Sequence, residues 1–304
     1  MNGIVNILKP PGMTSHDVVA WFRKLTGIKR AGHCGTLDPA ASGVLVLCAG
    51  KATRLLEYMT GWEKEYRAEL VLGLTTDTQD TTGKVLRRVP SSAVDHQKIL
   101  EALEEMRGEY RQIPPMVSAK KHHGIPLYKL ARAGKEIERK PRKVQIYDIR
   151  PVKISSLGGF VQVMFDAVVS SGTYIRTLCH DVGEKLGCGG AMGFLLRLRA
   201  GRFSLADAFT PEEIEEQWKN GNKAFLLSPA AGLPDWPAFT LEEKNLRRIA
   251  NGAILECKKE EIGLSFSSDQ KWKLLAPDGE LIAIARLETT DNGRLFFLPE
   301  KVFL

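Results

Sequence analysis

The feature of this sequence that most constrains its fold is a rigid loop followed closely by an apolar run. The loop, residues 32–39, contains Gly32 and Gly35 and ends in Asp38-Pro39. Glycine permits backbone angles that are closed to other residues, and the residue before a proline is kept out of the helical region. Residues 44–48 are apolar throughout, which is typical of a strand buried on both faces. We therefore expect Asp38 in a loop braced by a central strand; the alternative is a plain turn with a solvated carboxylate.

Periodic patterns elsewhere predict helices and more strands. Thr14 is placed to cap a helix whose apolar residues, Val18, Phe22 and Leu25, recur with a spacing of three and four before Gly27 ends it. Alternation of apolar and polar residues predicts half-buried strands at 63–72 and 160–169. Further strands are predicted at 4–8, 84–89, 144–149 and 194–202, the last with a cationic outer face, and further helices at 91–107 (capped by Ser91-Ser92), 173–186 and 211–228.

A proline-rich joint at residues 233–237 is the best candidate for a domain boundary. Beyond it, the pattern predicts one helix at 241–251 and several short strands, two of them separated by the turn Pro277-Asp278-Gly279. Such a pattern is typical of a compact, barrel-like module of about 70 residues. The predicted domains are therefore residues 1–232 and 233–304.

Composition limits the class of protein. The chain has 304 residues, of which 43% are hydrophobic and 26% charged, as in soluble globular proteins. Since the sequence lacks both a long apolar run and the layout of a signal peptide, we predict a cytoplasmic protein without a membrane span. The five cysteines are scattered, and no pair has the spacing of a disulfide framework or a zinc site.

Positive charge is concentrated in one stretch, which we call the basic segment (residues 119–143). The chain has a formal net charge of +7, and this segment alone carries nine cations against two anions. Tyr128 and two histidines are interleaved with the cations. Such a pattern favours a loop that contacts phosphates, and the alternative is a charged loop that only meets solvent.

Few other residues point to chemistry. The sequence contains neither a phosphate-binding P-loop nor the nucleophile elbow of hydrolases. Glycosidases usually need two carboxylates, whereas a single one such as Asp38 can act as a covalent nucleophile. Arg176 lies next to the start of a predicted core helix. Its side chain is either a surface charge or a group aimed into a cleft. For the pair Asp77 and Asp80, we favour a turn, or a carboxylate partner for an arginine, over a metal site.

Five motifs, in this order, resemble those of bacterial tRNA pseudouridine synthases of the TruB type. The resemblance covers nearly the whole chain. The sequence differs from the most common residues of the family at Cys34, Ser42 and Met192. The motifs are Lys9-Pro10-Pro11-Gly12-Met13-Thr14-Ser15, Gly32-His33-Cys34-Gly35-Thr36-Leu37-Asp38-Pro39, Lys64-Glu65-Tyr66, Pro114-Pro115-Met116-Val117-Ser118-Ala119-Lys120-Lys121 and Ser171-Gly172-Thr173-Tyr174-Ile175-Arg176.

The resemblance implies an α+β fold, with a curved, mostly antiparallel mixed sheet, flanking helices and a small C-terminal PUA-type RNA-binding domain. It also implies isomerisation of uridine-55 to pseudouridine in the T arm of tRNA by a monomer that needs no metal, cofactor or obligatory protein partner. The basic segment would grip the T arm. Two rival classes stay open, an RNA chaperone without required catalysis and a nucleic-acid glycosylase.

The family's site residues carry over by position. Asp38 would be the nucleophile, attacking either the ribose C1′ or the uracil C6. His33 would fill the space that the base leaves when it flips out of the RNA. The remaining assignments are Arg176 as the partner of Asp38, Tyr66 as the ring stacked on the uracil, Asp80 as a support for Tyr66 or Arg176, Leu196 as a pocket wall, and Lys9, Tyr174, Lys120 and Lys121 as further substrate contacts.

Overall fold

A large curved sheet lies at the centre of the computed structural model, which describes residues 1–118, 121–122, 124–135, 137–262 and 270–303. Neighbouring strands along it are antiparallel, except for one parallel pair, so the predicted α+β class with a mostly antiparallel mixed sheet is confirmed. In spatial order the strands are β1 (Gly3–Lys9), β3 (Ser42–Ala49), β12 (Gly190–Ala200), β4 (Lys64–Leu72), β11 (Phe160–Val169), β10 (Arg142–Leu157) and β7 (Gly108–Gln112), with β2 (Ala31–His33) on β3 and β13 (Phe203–Ser204) on β12.

The interior position of β3 in the sheet follows from its sequence. Every residue from 43 to 49 is buried, as the unbroken apolar run predicts. One face of the large sheet buries its apolar side chains with α3 (His96–Glu104) and α5 (Ile175–Lys185). The other face packs with α1 (Ser15–Thr26), which Thr14 caps as predicted, in a capping box with Asp17, and with α6 (Pro211–Lys219).

Two predicted helices differ from the structure. Ser91 does not cap α3, because its buried hydroxyl donates to the Leu72 carbonyl and accepts from the Val161 amide; Asp95 caps the helix instead. The helix predicted at 211–228 stops at Lys219.

The C-terminal part forms a second sheet that shares a core with the first. Leu281, Ile284 and Phe303 are buried in one cluster with Ile4 and Val44. No helix within the described ranges is both long and apolar enough to cross a bilayer. This sheet runs β14 (Ala238–Thr240), β16 (Lys271–Leu275), β17 (Leu281–Thr289), β18 (Leu295–Val302) and β15 (Leu255–Cys257), with α7 (Glu243–Ala250) and α8 (Lys259–Ile262) beside it.

Smaller elements complete the chain. Some of them lie within the basic segment, whose last residues, Arg142 and Lys143, belong to β10 rather than to a loop. These smaller elements are the 3-10 helices Gly50–Leu55, Leu205–Asp207 and Pro229–Gly232, α2 (Leu56–Met59), the hairpins β5 (Leu74–Thr76) with β6 (Val85–Arg88) and β8 (Lys121–His122) with β9 (Ile125–Pro126), and α4 (Leu127–Arg132).

Candidate active site

The loop that carries Asp38, which we call the Asp38 loop (residues 32–39), is fixed from several sides by the beginning of the chain. The Ser15 hydroxyl accepts from the Leu37 amide at 2.8 Å and donates to the Leu37 carbonyl at 3.2 Å. The Gly12 amide donates to the Pro39 carbonyl at 2.8 Å. These bonds satisfy backbone groups that an irregular buried loop would otherwise leave unpaired. The position of Asp38 is therefore set by α1 and β1 as well as by its own loop.

Lys9 is part of this support. Its side chain is buried, and its ammonium donates to the carbonyls of Pro10, Pro39 and Ala41 at 2.8, 3.3 and 2.7 Å. All three donors of the ammonium are thus used by backbone carbonyls, and Lys9 as a substrate contact stays a prediction. Burial lowers its pKa to about 8, although attraction to Asp38 opposes that change.

Asp38 and Arg176 form the central ion pair of the site. The Arg176 Nε lies 2.9 Å from Asp38 Oδ2, and its Nη2 donates to Oδ1 at 3.4 Å. The arginine is only 3% exposed, whereas the carboxylate is 39% exposed. The prediction left open whether Arg176 is a surface charge, and the structure directs it at the carboxylate. A two-point pair of this kind fixes the orientation of the carboxylate while leaving one side of it open to solvent.

The rest of the Arg176 guanidinium is held by two other loops. Its Nη1 donates to the Thr78 carbonyl at 2.9 Å, and its Nη2 donates to the Val117 carbonyl at 2.7 Å. Asp80 Oδ2 lies 3.9 Å from the Arg176 Nε. The predicted support from Asp80 is thus directed at Arg176. Three segments far apart in the sequence converge on one side chain.

Asp80 is itself held by its own turn. Its Oδ1 accepts from the hydroxyls of Thr78 and Thr82 at 2.8 and 2.6 Å and from the Thr82 amide at 3.0 Å. These bonds leave Oδ2 facing Arg176. The interpretation of this acidic pair as a turn and an arginine partner therefore holds for Asp80.

Tyr66 lies in the same buried cluster as Leu37, next to the loop. Opposite it on β12 is Arg197, whose guanidinium carbon is 6.0 Å from the centre of the tyrosine ring. Arg197 donates from Nε to the Val44 carbonyl at 2.6 Å and from its terminal nitrogens to the carbonyls of Gly35 and Thr36. It is 1% exposed. The predicted cationic outer face of this strand is therefore wrong at Arg197, which lies under the Asp38 loop.

The close approach of β12 to β3 depends on Gly43. Its φ is +111°, and a Cβ there would lie 2.3 Å from the Arg197 carbonyl oxygen. Only glycine tolerates both conditions. This contact brings Arg197 beside the Asp38 loop.

A family profile described as "TruB family pseudouridylate synthase (N terminal domain)" matches residues 23–175, and one described as "tRNA pseudouridylate synthase B C-terminal domain" matches residues 176–230. A curated relative named tRNA pseudouridine synthase B, from Moorella thermoacetica, is 45% identical over 300 residues, which cover 99% of this chain and 98% of the relative. The relative of the same name from Heliobacterium modesticaldum is also 45% identical, over 100% of this chain and 96% of its own. The chain belongs to the TruB family of pseudouridylate synthases. It is therefore an isomerase of the kind that forms pseudouridine in tRNA.

Solved structures agree with the TruB fold. One, titled "Structure of H/ACA RNP bound to a substrate RNA containing 2'-deoxyuridine", superposes with a TM-score of 0.73 and 25% identity, covering 99% of this chain and 85% of that chain. A second, titled "Crystal Structure of a Cbf5-Nop10-Gar1 Complex", gives a TM-score of 0.73 and 27% identity over the same shares of the two chains.

Other predicted TruB site residues fall in different places. Leu196 lies on the face of β12 opposite to Arg197, and Leu195 packs in the cluster of Tyr66 instead. The role of Leu196 as a pocket wall stays a prediction. Tyr174 directly precedes α5 and is half-buried. Lys120 lies outside the described residues, and for Lys121 only the backbone, in β8, is described.

His33 is half-buried at the end of β2. Burial is the main cause of the lowering of its pKa below the ordinary value, and the Arg197 charge adds to it. Its Nδ1 accepts from the Gly35 amide at 3.3 Å. Both effects favour the neutral form of the His33 ring.

Lys64 is a second buried lysine of the TruB motifs. Its ammonium donates to the carbonyls of Thr60 and Trp62 at 3.0 and 2.6 Å. Burial, together with repulsion from Arg197, lowers its pKa to about 8, against an opposing effect of Cys34. A neutral amine keeps two N–H donors, which is enough for these two carbonyls.

Lys64 should therefore give the protein a measurable pH dependence. Between pH 8 and 10.5 the unfolded chain holds this proton and the folded chain does not, so the free energy of unfolding rises with pH. Relative to Lys64→Met, the parent should gain up to roughly 3 kcal/mol over that range, since one pKa unit corresponds to about 1.4 kcal/mol. Urea unfolding of both proteins at pH 7.5, 9 and 10.5 measures the difference. Parallel pH profiles would contradict the expectation.

Proposed function

We propose that this TruB-family synthase converts uridine-55 of the tRNA T arm into pseudouridine, with Asp38 as the nucleophile. The observation that carries the proposal is the geometry of the Asp38–Arg176 pair. A half-exposed carboxylate is held at two points by a buried arginine, which is itself bonded to two backbone carbonyls. Such a carboxylate is both oriented and open to a substrate on one side.

The proposed reaction conserves every atom of the RNA. An Asp38 oxygen attacks the ribose C1′ or the uracil C6, and the bond between N1 and C1′ breaks. The detached uracil turns so that C5 bonds to C1′, the bond to Asp38 breaks, and the proton on C5 moves to N1 through solvent. Tyr66, whose ring lies beside the Asp38 loop, would hold the uracil in place and assist removal of the C5 proton. No external reagent is required.

The proposal includes flipping of the target base out of the RNA. Flipping costs a few kcal/mol, and stacking on protein side chains offsets part of it. His33 would occupy the space that the uridine leaves. It lies five residues before Asp38 in the same loop. Insertion of the ring and delivery of the base to the carboxylate would therefore belong to one rigid unit.

Binding of the T arm is proposed to use two regions of the chain. The basic segment would contact the T-arm phosphates, and residues 233–304 would form a PUA-type RNA-binding domain next to the catalytic domain of residues 1–232. Clustered cations such as those of the basic segment supply sequence-independent affinity, and the site residues supply selectivity.

We propose that the enzyme acts in the cytoplasm as a monomer.

The experiment that tests this function uses a T-arm stem-loop RNA tritiated at C5 of its uridines. The enzyme should release tritium, leave the mass of unlabelled RNA unchanged and produce one pseudouridine. A stem-loop in which the uridine at position 55 is replaced by cytidine should release no tritium above background. A glycosylase would instead lower the RNA mass by one base. Unchanged RNA with tight binding would favour a chaperone.

Charge reversal in the basic segment should change the salt dependence of RNA binding. If Lys120, Lys121 and Arg142 each meet one phosphate, their replacement by Glu should reduce the slope of log K against log salt by roughly 0.7 to 0.9 per residue. A charge-matched control reverses three exposed helix lysines outside the segment, Lys98, Lys185 and Lys219. Equal slopes in the two triple variants would rule out a specific role for the segment.

A further inference from the structure

The side chain of Gln112, at the end of β7, is buried and all of its hydrogen-bonding atoms are used. Its Oε1 accepts from the Tyr174 amide at 2.7 Å. Its Nε2 donates to the Tyr174 carbonyl at 2.9 Å and to the Tyr110 hydroxyl at 2.9 Å. The carboxamide thus pairs with residue 174 as a neighbouring strand would. A buried amide with every atom satisfied holds its partner in one geometry.

The partner of Gln112 is the residue that starts α5. Tyr174 is the N-cap of this helix, and its own side chain makes no capping bond. The first amides of a helix need partners outside it, and here Gln112 supplies the partner for Tyr174. Arg176 follows two residues later, so the peptide that Gln112 holds sets where the arginine side chain begins.

A second bond ties the same strand to the same helix. The Tyr110 hydroxyl, which accepts from Gln112, donates to Asp181 Oδ2 at 2.8 Å. Residues 174 and 181 are about two helical turns apart. Two points along α5 are therefore fixed to β7, which restrains both the position and the direction of the helix.

The chain that leaves Gln112 returns directly to Arg176. Five residues after Gln112, the Val117 carbonyl accepts from Arg176 Nη2 at 2.7 Å. Residues 112–118 lead into the basic segment. The residues that precede this segment thus contact α5 twice. Gln112 contacts the beginning of the helix at Tyr174, and Val117 contacts the end of the Arg176 side chain.

We propose that Gln112 is a positioning residue, which holds the first turn of α5 so that Arg176 meets both Asp38 and the Val117 carbonyl. This inference rests on the proposed function, in which Asp38 attacks and Arg176 orients it. It adds that one side chain contributes both to the path of the chain into the basic segment and to the orientation of the nucleophile. Gln112 touches neither the reacting atoms nor the RNA in this scheme.

The test replaces Gln112 with methionine, which keeps the length of the side chain and removes its hydrogen bonds. The rate of tritium release under single-turnover conditions should fall roughly 10- to 100-fold, because a misplacement of about 1 Å in an active site has effects of this size. Affinity for a pseudouridine-containing product stem-loop should change by less than about twofold, since uniform binding is not lost. Gln97→Met, the same change in an exposed side chain of α3, should match the parent.

A double-mutant comparison separates positioning from general damage. In an Arg176→Met background there is no guanidinium to place, so adding Gln112→Met should slow the reaction by less than about threefold. If the rate losses of the two single variants multiply in the double variant, or if Gln112→Met alone reacts at the full rate, the proposal is overturned. If Gln112→Met does not fold, Tyr110→Phe is measured in the same cycle. Tyr110→Phe should slow the reaction several-fold on its own and should cause no further loss of rate in the Arg176→Met background. If the two rate losses multiply instead, the proposal is equally overturned. Asp38→Asn is run in parallel, because its activity bears only on the nucleophile assignment.

Discussion

Replacement of Asp38 with asparagine should abolish tritium release from a T-arm stem-loop. Asparagine fills the same space and can still accept from Arg176, but its amide is a far weaker nucleophile than a carboxylate. We expect the single-turnover rate to fall by roughly 10⁵-fold or more, the scale seen when the nucleophile of a covalent enzyme is removed. Tritium release over several hours with enzyme in excess of RNA measures the residual rate.

The chain offers a matched control for this change in Asp166. Asp166 also forms a two-point pair with an arginine, since Arg67 donates to its two oxygens at 2.8 Å each. The pair lies on the face of β4 opposite to Tyr66. Asp166→Asn should therefore keep activity within a few-fold of the parent. An Asp38→Asn protein as active as Asp166→Asn would exclude Asp38 as the nucleophile.

Arg176→Met should have the second largest effect on the reaction. The change removes the two-point hold on Asp38 and leaves the carbonyls of Thr78 and Val117 without this donor. Loss of a group that orients or stabilises the reacting atoms typically slows a reaction by about 10²- to 10³-fold. We expect that loss in the single-turnover rate, with a smaller change in RNA affinity.

Arg67→Met is the control for that experiment, because it removes the partner of Asp166 from the same sheet. Arg67 is far more exposed than Arg176, and exposed ion pairs contribute only about 0 to 1 kcal/mol to stability. Arg67→Met should therefore fold and react like the parent. If both arginine variants lose rate equally, the loss reports damage to the sheet rather than the orientation of Asp38.

The parts of the site that sequence could predict are those with local signals. Two glycines, a proline and the apolar run after them placed the Asp38 loop against a buried strand, and β3 is buried as expected. The approach of Arg176 to Asp38 was expected only from family resemblance. The two residues are 138 positions apart, and no local pattern encodes such a contact.

Arg197 shows why the remaining parts could not be predicted. The alternation in β12 was interpreted as apolar residues inside and basic residues outside. Leu195 and Arg197 are two apart and share a face, and that face turns inward because it lies beside Tyr66 and beneath the Asp38 loop. Burial of the cation depends on carbonyls of residues 35, 36 and 44, about 150 to 160 positions away. A period-two pattern gives the two faces of a strand, but not which face is covered.

Gln112 was equally hidden from the sequence. Its local context, Gln112 followed by Ile113 and two prolines, marks only the end of a strand. Gln112 contacts Tyr174 directly and Asp181 by way of the Tyr110 hydroxyl, and both partners belong to a helix more than 60 residues later. A buried glutamine that completes a distant helix start leaves no periodic signal.

The core cluster shared by the two sheets has a consequence for how the protein unfolds. Leu281, Ile284 and Phe303 of the C-terminal sheet pack with Val44 and Val46, which belong to the strand directly after the Asp38 loop. Separating the sheets would expose both sides of this cluster to water, at about 25 cal/mol per Å² of apolar surface. We therefore expect the shared cluster to couple the stability of the C-terminal sheet to that of the strand behind the Asp38 loop. Heating should melt both sheets in one cooperative transition, and catalytic activity and C-terminal structure should be lost at the same temperature.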